Sequence, residues 1–451
     1  MRIDHLVPAA LYDFGAVLAR AGFQAWIVGG AIRNLVLGRE PSDWDAATDA
    51  RPEDVMRAFR RTVPTGVKHG TVTVFWRDLQ IETTTFRVEE GYADGRRPDR
   101  VSFTPDIRED LKRRDFTMNS MALNLATREF LDPHDGLGDL GRRLVRAIGN
   151  PLERFDEDGL RPLRAVRFAG QLGYAIDGPT FEAIGSSLHR FRAVSSERVR
   201  DEFAKILLSA RPSYGIGLLE RSGLLAEFLP ELAACRGVEQ GGLHSFDVFD
   251  HLAAACDAAP PVLELRLAAL LHDLGKPGRK AGDAEGGFSF HRHEEDSARM
   301  VKGILPRLKF PNLVTERVER LARHHMFSYS DEWTDAAVRR FVARVGEDLV
   351  EDLLALRVAD SAALAGTPPE PRGVEPFRKR IEAVLAASRV LGVKDLAVSG
   401  DDLASVGVPK GPVMGRLLAE LLETVMDDPS LNERERLLLI AERIKPKYGL
   451  S

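Results

Sequence analysis

The sequence predicts a multidomain α+β protein: a mixed sheet with helices at the N-terminus, followed by an all-α remainder. Two observations carry this. Strand-like runs occur only early: Ala25–Val28 is an apolar run of strand length, and Thr71–Trp76 and Leu79–Phe86 alternate about the turn Arg77-Asp78. From residue 177 onward the pattern is helical in period. At 451 residues the chain is also too long for one core, so three or four domains are expected.

Composition narrows the class. A hydrophobic content of 44% and a charged content of 29% fit a globular chain rather than a disordered one. No apolar run reaches the roughly 18 residues of a membrane span, and the N-terminus lacks the pattern of a secretion signal. Cys235 and Cys256 form neither a metal-ligand pattern nor a disulfide framework, which suits a reducing, cytoplasmic setting. The net charge of −5 requires that any nucleic acid be met by local basic surface, and arginines do cluster. Nothing in the sequence specifies the oligomeric state.

Residues 5 to 22 read as an amphipathic helix leading into the strand Ala25–Val28. Gly29 and Gly30 then turn the backbone sharply, and a helix from about Ala31 points free N–H groups at a guest anion. Arg33 adds a forked cation suited to phosphate. A second strand carries Asp43 and Asp45, two apart and so on one face; paired carboxylates require a cation, and hard oxygen ligands select Mg²⁺. A helix follows from Pro52 to about Phe59, and then Lys68-His69-Gly70 turns into the hairpin. Within the hairpin, Glu82 is either a third carboxylate beside Asp43 and Asp45 or an exposed strand residue. Residues 87 to 105 are polar and rich in Gly and Pro, and read as a mobile loop. Asp115 is a candidate N-cap for an apolar run from Met118 to Leu125, which would put Arg114 at a helix start beside phosphate or ribose. Asp132 to Leu140 is turn-rich, as either a hinge or a static turn.

Glu153 to Ala169 is helical in period apart from Gly159 and Pro162, and Pro162 fits a first turn. Arg161, Arg164 and Arg167 recur every three residues. One explanation is an arginine stripe neutralised by Glu157 and Asp158. The other is base recognition. Asp158 only accepts hydrogen bonds and Arg161 only donates. Cytosine and adenine both offer an amino donor beside a ring acceptor, whereas guanine and uracil present the opposite order, so this pair reads C and A.

The strings WIVGGAIR…DWD, RRDFTMN and EDGLR together resemble the bacterial and eukaryotic tRNA nucleotidyltransferase and poly(A) polymerase family, over nearly the whole chain. Asn34 departs from the Asp usual in that family. The resemblance implies a polymerase-beta-like head over residues 1–140 and a helical neck over 141–235. It implies catalytic, Mg²⁺-binding Asp43 and Asp45, and nucleotide contacts from Gly29, Gly30, Arg33, Arg114, Asp115, Asp158, Arg161, Arg164 and Arg167. It also makes residues 87 to 105 the loop that helps switch base selection, in the full-length rather than the CC-only form.

Further on lie His244, His251, His272-Asp273, His291, His293, His324, His325 and Asp360. These resemble an HD phosphohydrolase domain, assigned to residues 236–365. The resemblance implies one metal on His251, His272, Asp273 and Asp360, with His293 and His324 as candidates for a second. Imidazoles suit a transition metal better than Mg²⁺. A plain helical core with capped histidines is the competing explanation. Residues 365 to 376 read as a linker, and 366–451 as a helical tail that grips tRNA. There Gly411-Pro412, Lys410 and Arg416 either face a backbone phosphate or simply cap a helix. The function implied is template-independent addition of CCA to the tRNA 3′ end from CTP and ATP, with contacts to the acceptor arm. The alternatives are A-addition alone, poly(A) synthesis, an HD phosphohydrolase whose head only binds nucleotide, and a non-catalytic RNA-binding protein.

Overall fold

The computed structural model describes residues 3–67, 70–90, 100–241, 246–282, 288–365 and 374–450. The chain forms two compact units, 1–233 with 307–309 and 234–306 with 310–451. No helix among the described residues is long and apolar enough to cross a membrane.

The first unit opens with a single turn at Asp4–Leu6, then α1 (Ala9–Arg20), β1 (Ala25–Val28), α2 (Gly30–Val36), β2 (Trp44–Thr48) and α3 (Pro52–Ala58). Pro8 precedes α1 and splits the single helix expected over 5 to 22. Next come β3 (Thr62–Gly66), β4 (Thr71–Trp76), β5 (Leu79–Thr85), β6 (Arg87–Glu90), β7 (Arg100–Phe103), α4 (Ile107–Lys112), β8 (Ala122–Asn124), β9 (Phe130–Leu131) and α5 (Gly136–Arg142). Seven strands form one mixed sheet in the order β3-β4-β5-β2-β1-β8-β9. Only β2 and β5 run parallel. β1 lies between β2 and β8 and is buried throughout, which explains its unbroken apolar run. Trp26, Val28, Ala47, Phe86, Ile107, Leu111, Ala122 and Leu131 close one core against it.

Three expectations are corrected here. The ends of the presumed loop over 87 to 105 pair as the antiparallel strands β6 and β7. Its centre, 91–99, lies outside the described residues, as do Lys68 and His69 of the preceding turn. The run Met118 to Leu125 is not a helix: Thr117–Asn119 make a 3₁₀ turn, and β8 then pairs with β1. A short apolar run suits a buried strand as well as a helix, and pairing with β1 decides it. The turn-rich segment becomes α5, with the Asp132 carboxylate accepting from the N–H groups of Gly136 and Leu137 at 2.7 and 2.9 Å.

The chain continues through β10 (Leu144–Val145), α6 (Pro151–Glu157), α7 (Arg161–Leu172) and β11 (Ala175–Ile176). β10 and β11 pair in parallel, a small interruption of the helical neck. Helices α8 (Gly178–Ser186), α9 (Leu188–Phe191), α10 (Ser196–Leu207), α11 (Pro212–Arg221), α12 (Leu224–Phe228) and α13 (Pro230–Ala233) complete the unit. Pro162 falls in the first turn of α7, where its missing N–H costs no hydrogen bond.

Among its described residues the second unit has helices and one strand pair, Ala281–Gly282 with Phe288–Ser289. Its last three main helices, Gly400–Ser405, Pro412–Asp427 and Arg434–Ile444, share a core that includes Leu403, Leu417, Leu421 and Leu437. Lys410 pairs with Asp401 at 3.0 Å, and the Arg416 guanidinium lies 5.8 Å from the Tyr448 ring. Most of the expected linker, 366–373, lies outside the described residues.

The glycines of α5 separate packing from flexibility. A Cβ on Gly136 would lie 2.4 Å from the Thr117 carbonyl oxygen, whereas one on Gly141 would meet nothing within 4 Å. Gly136→Ala is therefore expected to destabilise the protein by ~1–3 kcal/mol. Gly141→Ala should be neutral or stabilising by up to ~1 kcal/mol. Thermal unfolding of the two variants checks this.

Candidate active site

A cleft of about 1040 Å³ in the first unit is lined by Gly29, Gly30, Arg33, Asp43, Asp45, Glu82, Arg114, Asp115, Asp158, Arg161, Arg164 and Arg167. Every catalytic or nucleotide-binding candidate of the head and neck thus lines one space. Asp43 immediately precedes β2 rather than lying in it, and Asp45 is the strand's second residue. The parallel register sets Asp45 opposite Glu82 on β5. Burial pushes the Asp45 carboxyl up to about 6, with Glu82 and Asp43 adding to the shift and Arg114 opposing it. Gly29 has φ 70°, and a Cβ there would lie 3.1 Å from Arg114 Nη1 and 3.5 Å from Asp45 Oδ2. A side chain at this turn would be strained and would crowd both groups.

Asp115 is the hub of the arginine array, not a helix cap. Its carboxylate accepts from the Phe116 N–H at 2.8 Å, from Asn119 Nδ2 at 3.0 Å, and from Arg164 Nε and Nη2 at 2.9 and 2.7 Å. Burial would raise this carboxyl, but Arg164 and the Asn119 bond outweigh it and hold it well below the usual carboxylate range. Arg114 likewise does not open a helix: it follows α4 and, with Arg113, binds the buried Asp110 at 3.2 and 2.8 Å. Arg167 pairs with Glu202 of α10 at 2.7 Å. The guanidiniums of Arg33, Arg164 and Arg167 surround the Phe168 ring at 5.0, 5.4 and 3.5 Å.

Among the described residues Arg33 donates only to neutral amides, Asn119 Oδ1 at 2.8 Å and Asn34 Oδ1 at 3.1 and 3.3 Å. Burial, and then Arg167, bring its pKa down to about 10. Asn34 therefore hydrogen-bonds the arginine without neutralising it.

Asp158 sits at the break between α6 and α7. Its Oδ1 accepts from the Leu160 N–H at 3.0 Å and its Oδ2 from Arg198 Nη2 at 2.7 Å. Arg161 pairs with Glu157 and donates to the carbonyls of Arg154 at 2.8 Å and Arg113 at 3.0 Å. The neutralised-stripe explanation therefore describes Arg161 alone; Arg164 and Arg167 reach distant partners instead.

Three family models match parts of the chain. Residues 25–146 match the poly A polymerase head domain, 173–236 the probable RNA and SrmB-binding site of polymerase A, and 242–364 the HD domain. The CCA-adding enzyme of Enterococcus faecalis is 33% identical over 432 residues, 94% of this chain and 93% of the relative. That of Limosilactobacillus fermentum is 33% identical over 98% of both chains. The chain belongs to the CCA-adding enzyme family. The solved structure of the Bacillus stearothermophilus CCA-adding enzyme in complex with CTP matches with a TM-score of 0.74 and 29% identity over 98% of each chain. The Thermotoga maritima CCA-adding enzyme complexed with tRNA CCA, at 18% identity and a TM-score of 0.57, shares the fold.

Within this CCA-adding fold the cleft also holds Arg39, Arg113, Arg198 and Lys205, which are not among the site residues expected from the sequence. Only Arg113 and Arg198 carried a signal, as part of basic runs. In the second unit, His251, His272, Asp273 and Asp360 converge. His251 Nε2 lies 3.4 Å from His272 Nε2, 3.5 Å from Asp273 Oδ2 and 3.2 Å from Asp360 Oδ1. The expected pairing of His293 with His324 is corrected. The buried His325 lies 3.4 Å from Asp273 Oδ1 and 3.3 Å from His293, while His324 is half-buried and outside the cluster. Adjacent helix positions point about 100° apart, so one of the two neighbours must face away. His291 is exposed, and His244 lies outside the described residues.

Because the folded-state pKa of Asp45 is raised, ionising it opposes folding. That penalty begins above the unfolded value near pH 4 and is complete above about pH 6. With a chelator present, Asp45→Asn is expected to stabilise the protein by ~1–2 kcal/mol at pH 7.5, after discounting for partial exposure, and by almost nothing at pH 4. Denaturant unfolding at the two pH values measures the difference.

Proposed function

We propose that this protein builds the 3′-terminal CCA of tRNA from CTP and ATP, releasing pyrophosphate. One observation carries the reading: in a chain that matches CCA-adding enzymes along nearly its full length, an acidic pair, an arginine array and an acceptor–donor pair line a single cleft. A- or CC-restricted addition and poly(A) synthesis are less favoured, because the relatives are named for CCA addition.

Asp43, Asp45 and Glu82 fit a divalent ion. They carry no ion pair among the described residues, and a cation would offset both the burial and the repulsion from Glu82 and Asp43 that raise Asp45. We assign Mg²⁺, held chiefly by Asp43 and Asp45; when bound, it acidifies the RNA 3′-hydroxyl and neutralises the departing pyrophosphate. The protein's own groups do the rest. Gly29 and Gly30 let the backbone approach the triphosphate. Arg33, Arg114, Arg164 and Arg167 bind and orient it. Asp115 fixes Arg164 in place. Asp158 accepts the amino hydrogen of cytosine or adenine, and Arg161 donates to the ring acceptor. The tRNA acceptor arm is held by shape and phosphate contacts, and the reaction is assigned to the cytoplasm.

The histidine cluster supports a second, separate reading. His251 Nε2 and His272 Nε2 lie 3.2 and 3.6 Å from Asp360 Oδ1, and these three ligand atoms are close enough together to share one metal ion. We assign the cluster a transition-metal ion on His251, His272, Asp273 and Asp360, serving a phosphohydrolase activity independent of polymerisation.

Offered one nucleotide at a time, tRNA lacking CCA should accept only CTP, twice, and tRNA ending in CC only ATP. Extension of the CC-ended tRNA alone would reduce the activity to A-addition. Asp43→Ala should lower incorporation by ~10³-fold or more and spare any phosphatase activity. Asp273→Ala should do the reverse, as gel extension and phosphate-release assays on the same preparations would register.

A further inference from the structure

Arg198 lies on α10, remote in sequence from the base-reading turn, yet it reaches Asp158. Its Nη2 donates to Asp158 Oδ2 at 2.7 Å, its only hydrogen bond among the described residues. Its other terminal nitrogen, Nη1, is buried and has no partner among the described residues. A guanidinium serving only to clamp helices together would be expected to use both arms of its fork. This one spends its single bond on the carboxylate assigned to read the base.

The backbone beneath Asp158 is also fixed. A Cβ on Gly159 would lie 2.4 Å from the Arg190 carbonyl oxygen, so the turn packs hard against α9. The Leu160 N–H holds Oδ1 at 3.0 Å. A carboxylate offers about four acceptor positions, and two are taken by these fixed donors. The terminal torsion of an Asp is otherwise broad, and a freely turning carboxylate would meet a base amine at no fixed angle.

Resting on the proposed reading of Asp158 as the base-selecting acceptor, we propose that Arg198 is a positioning residue for nucleotide selection: it locks the Asp158 carboxylate so that one remaining acceptor faces the amino group of the incoming base. Arg198 acts through Asp158, and its loss therefore affects choice of base more than chemistry.

The test is a cycle of Arg198→Met, Asp158→Asn and the double variant in the full-length protein, scored by the ratio of kcat/KM for CTP to that for UTP on tRNA lacking CCA. Arg198→Met is expected to lower this ratio ~10-fold, the scale of one charge-assisted hydrogen bond, with thermal stability near that of the parent. The double variant should be no less selective than Asp158→Asn alone, because both remove the same function. Arg198→Lys, which keeps the charge without the fork, should recover part of the ratio. If Arg198→Met does not fold, the Lys variant decides, with an expected loss of ~2- to 5-fold. Parental selectivity in the variant that decides, or full additivity with Asp158→Asn, would overturn the inference. Should Asp158→Asn itself leave the ratio unchanged, the underlying reading of Asp158 fails instead.

Discussion

The cleft depends on one buried carboxylate. Asp115 receives two hydrogen bonds from Arg164 of α7, and thereby ties the helix that follows the base-reading turn to the segment that follows α4. The bond from Arg161 to the Arg113 carbonyl reinforces the same junction. Buried ion pairs add little net stability, because desolvation offsets their attraction. What Asp115 gives is geometry: with Asn119 and the Phe116 N–H on its other lone pairs, it fixes Arg164 in direction as well as place. Asn119 also accepts from Arg33, so a single 3₁₀ turn aligns two arginines of the array.

Charge is sorted along the cleft. At one end Asp43, Asp45 and Glu82 face each other without a cationic partner among the described residues, and burial already resists the ionisation of Asp45. In the middle Arg33 keeps its charge against neutral amides, while Arg164 and Arg167 lean on carboxylates that are themselves buried. At the other end Asp158 and Arg161 are held by fixed protein partners. On the proposed function, these zones correspond to metal, triphosphate and base. The net charge of −5 conceals this sorting entirely, since it averages a local arrangement over the whole surface.

The sheet and its order of elements were legible because β1 and the β4–β5 hairpin show the two patterns of strands, continuous when buried on both faces and alternating when not. Met118 to Leu125 misled for the same reason β1 did not: its burial comes from pairing with β1, which no local period reports. The residues gathered in the cleft were visible as motifs, but their bonding was not. Asp115 looked like a cap because only its neighbours in sequence could be weighed, and its true partner lies forty-nine positions on. The bonds from Arg198 to Asp158 and from Arg167 to Glu202 were hidden for the same reason. Choosing between His324 and His325 required the rotation of one helix, which the sequence leaves free to within a residue.

The central claim is that a carboxylate on a protein turn takes the place of a pairing base by accepting an amino hydrogen. Nucleotides that lack only that amine test it without altering the protein. Pyrimidin-2-one riboside triphosphate and purine riboside triphosphate keep the sugar, the triphosphate and the ring acceptors of CTP and ATP. Steady-state incorporation into tRNA lacking CCA and into tRNA ending in CC is predicted to fall ~10- to 100-fold in kcat/KM for each analogue, as expected when a buried carboxylate loses its donor. Incorporation of both analogues as efficiently as CTP and ATP would contradict the account.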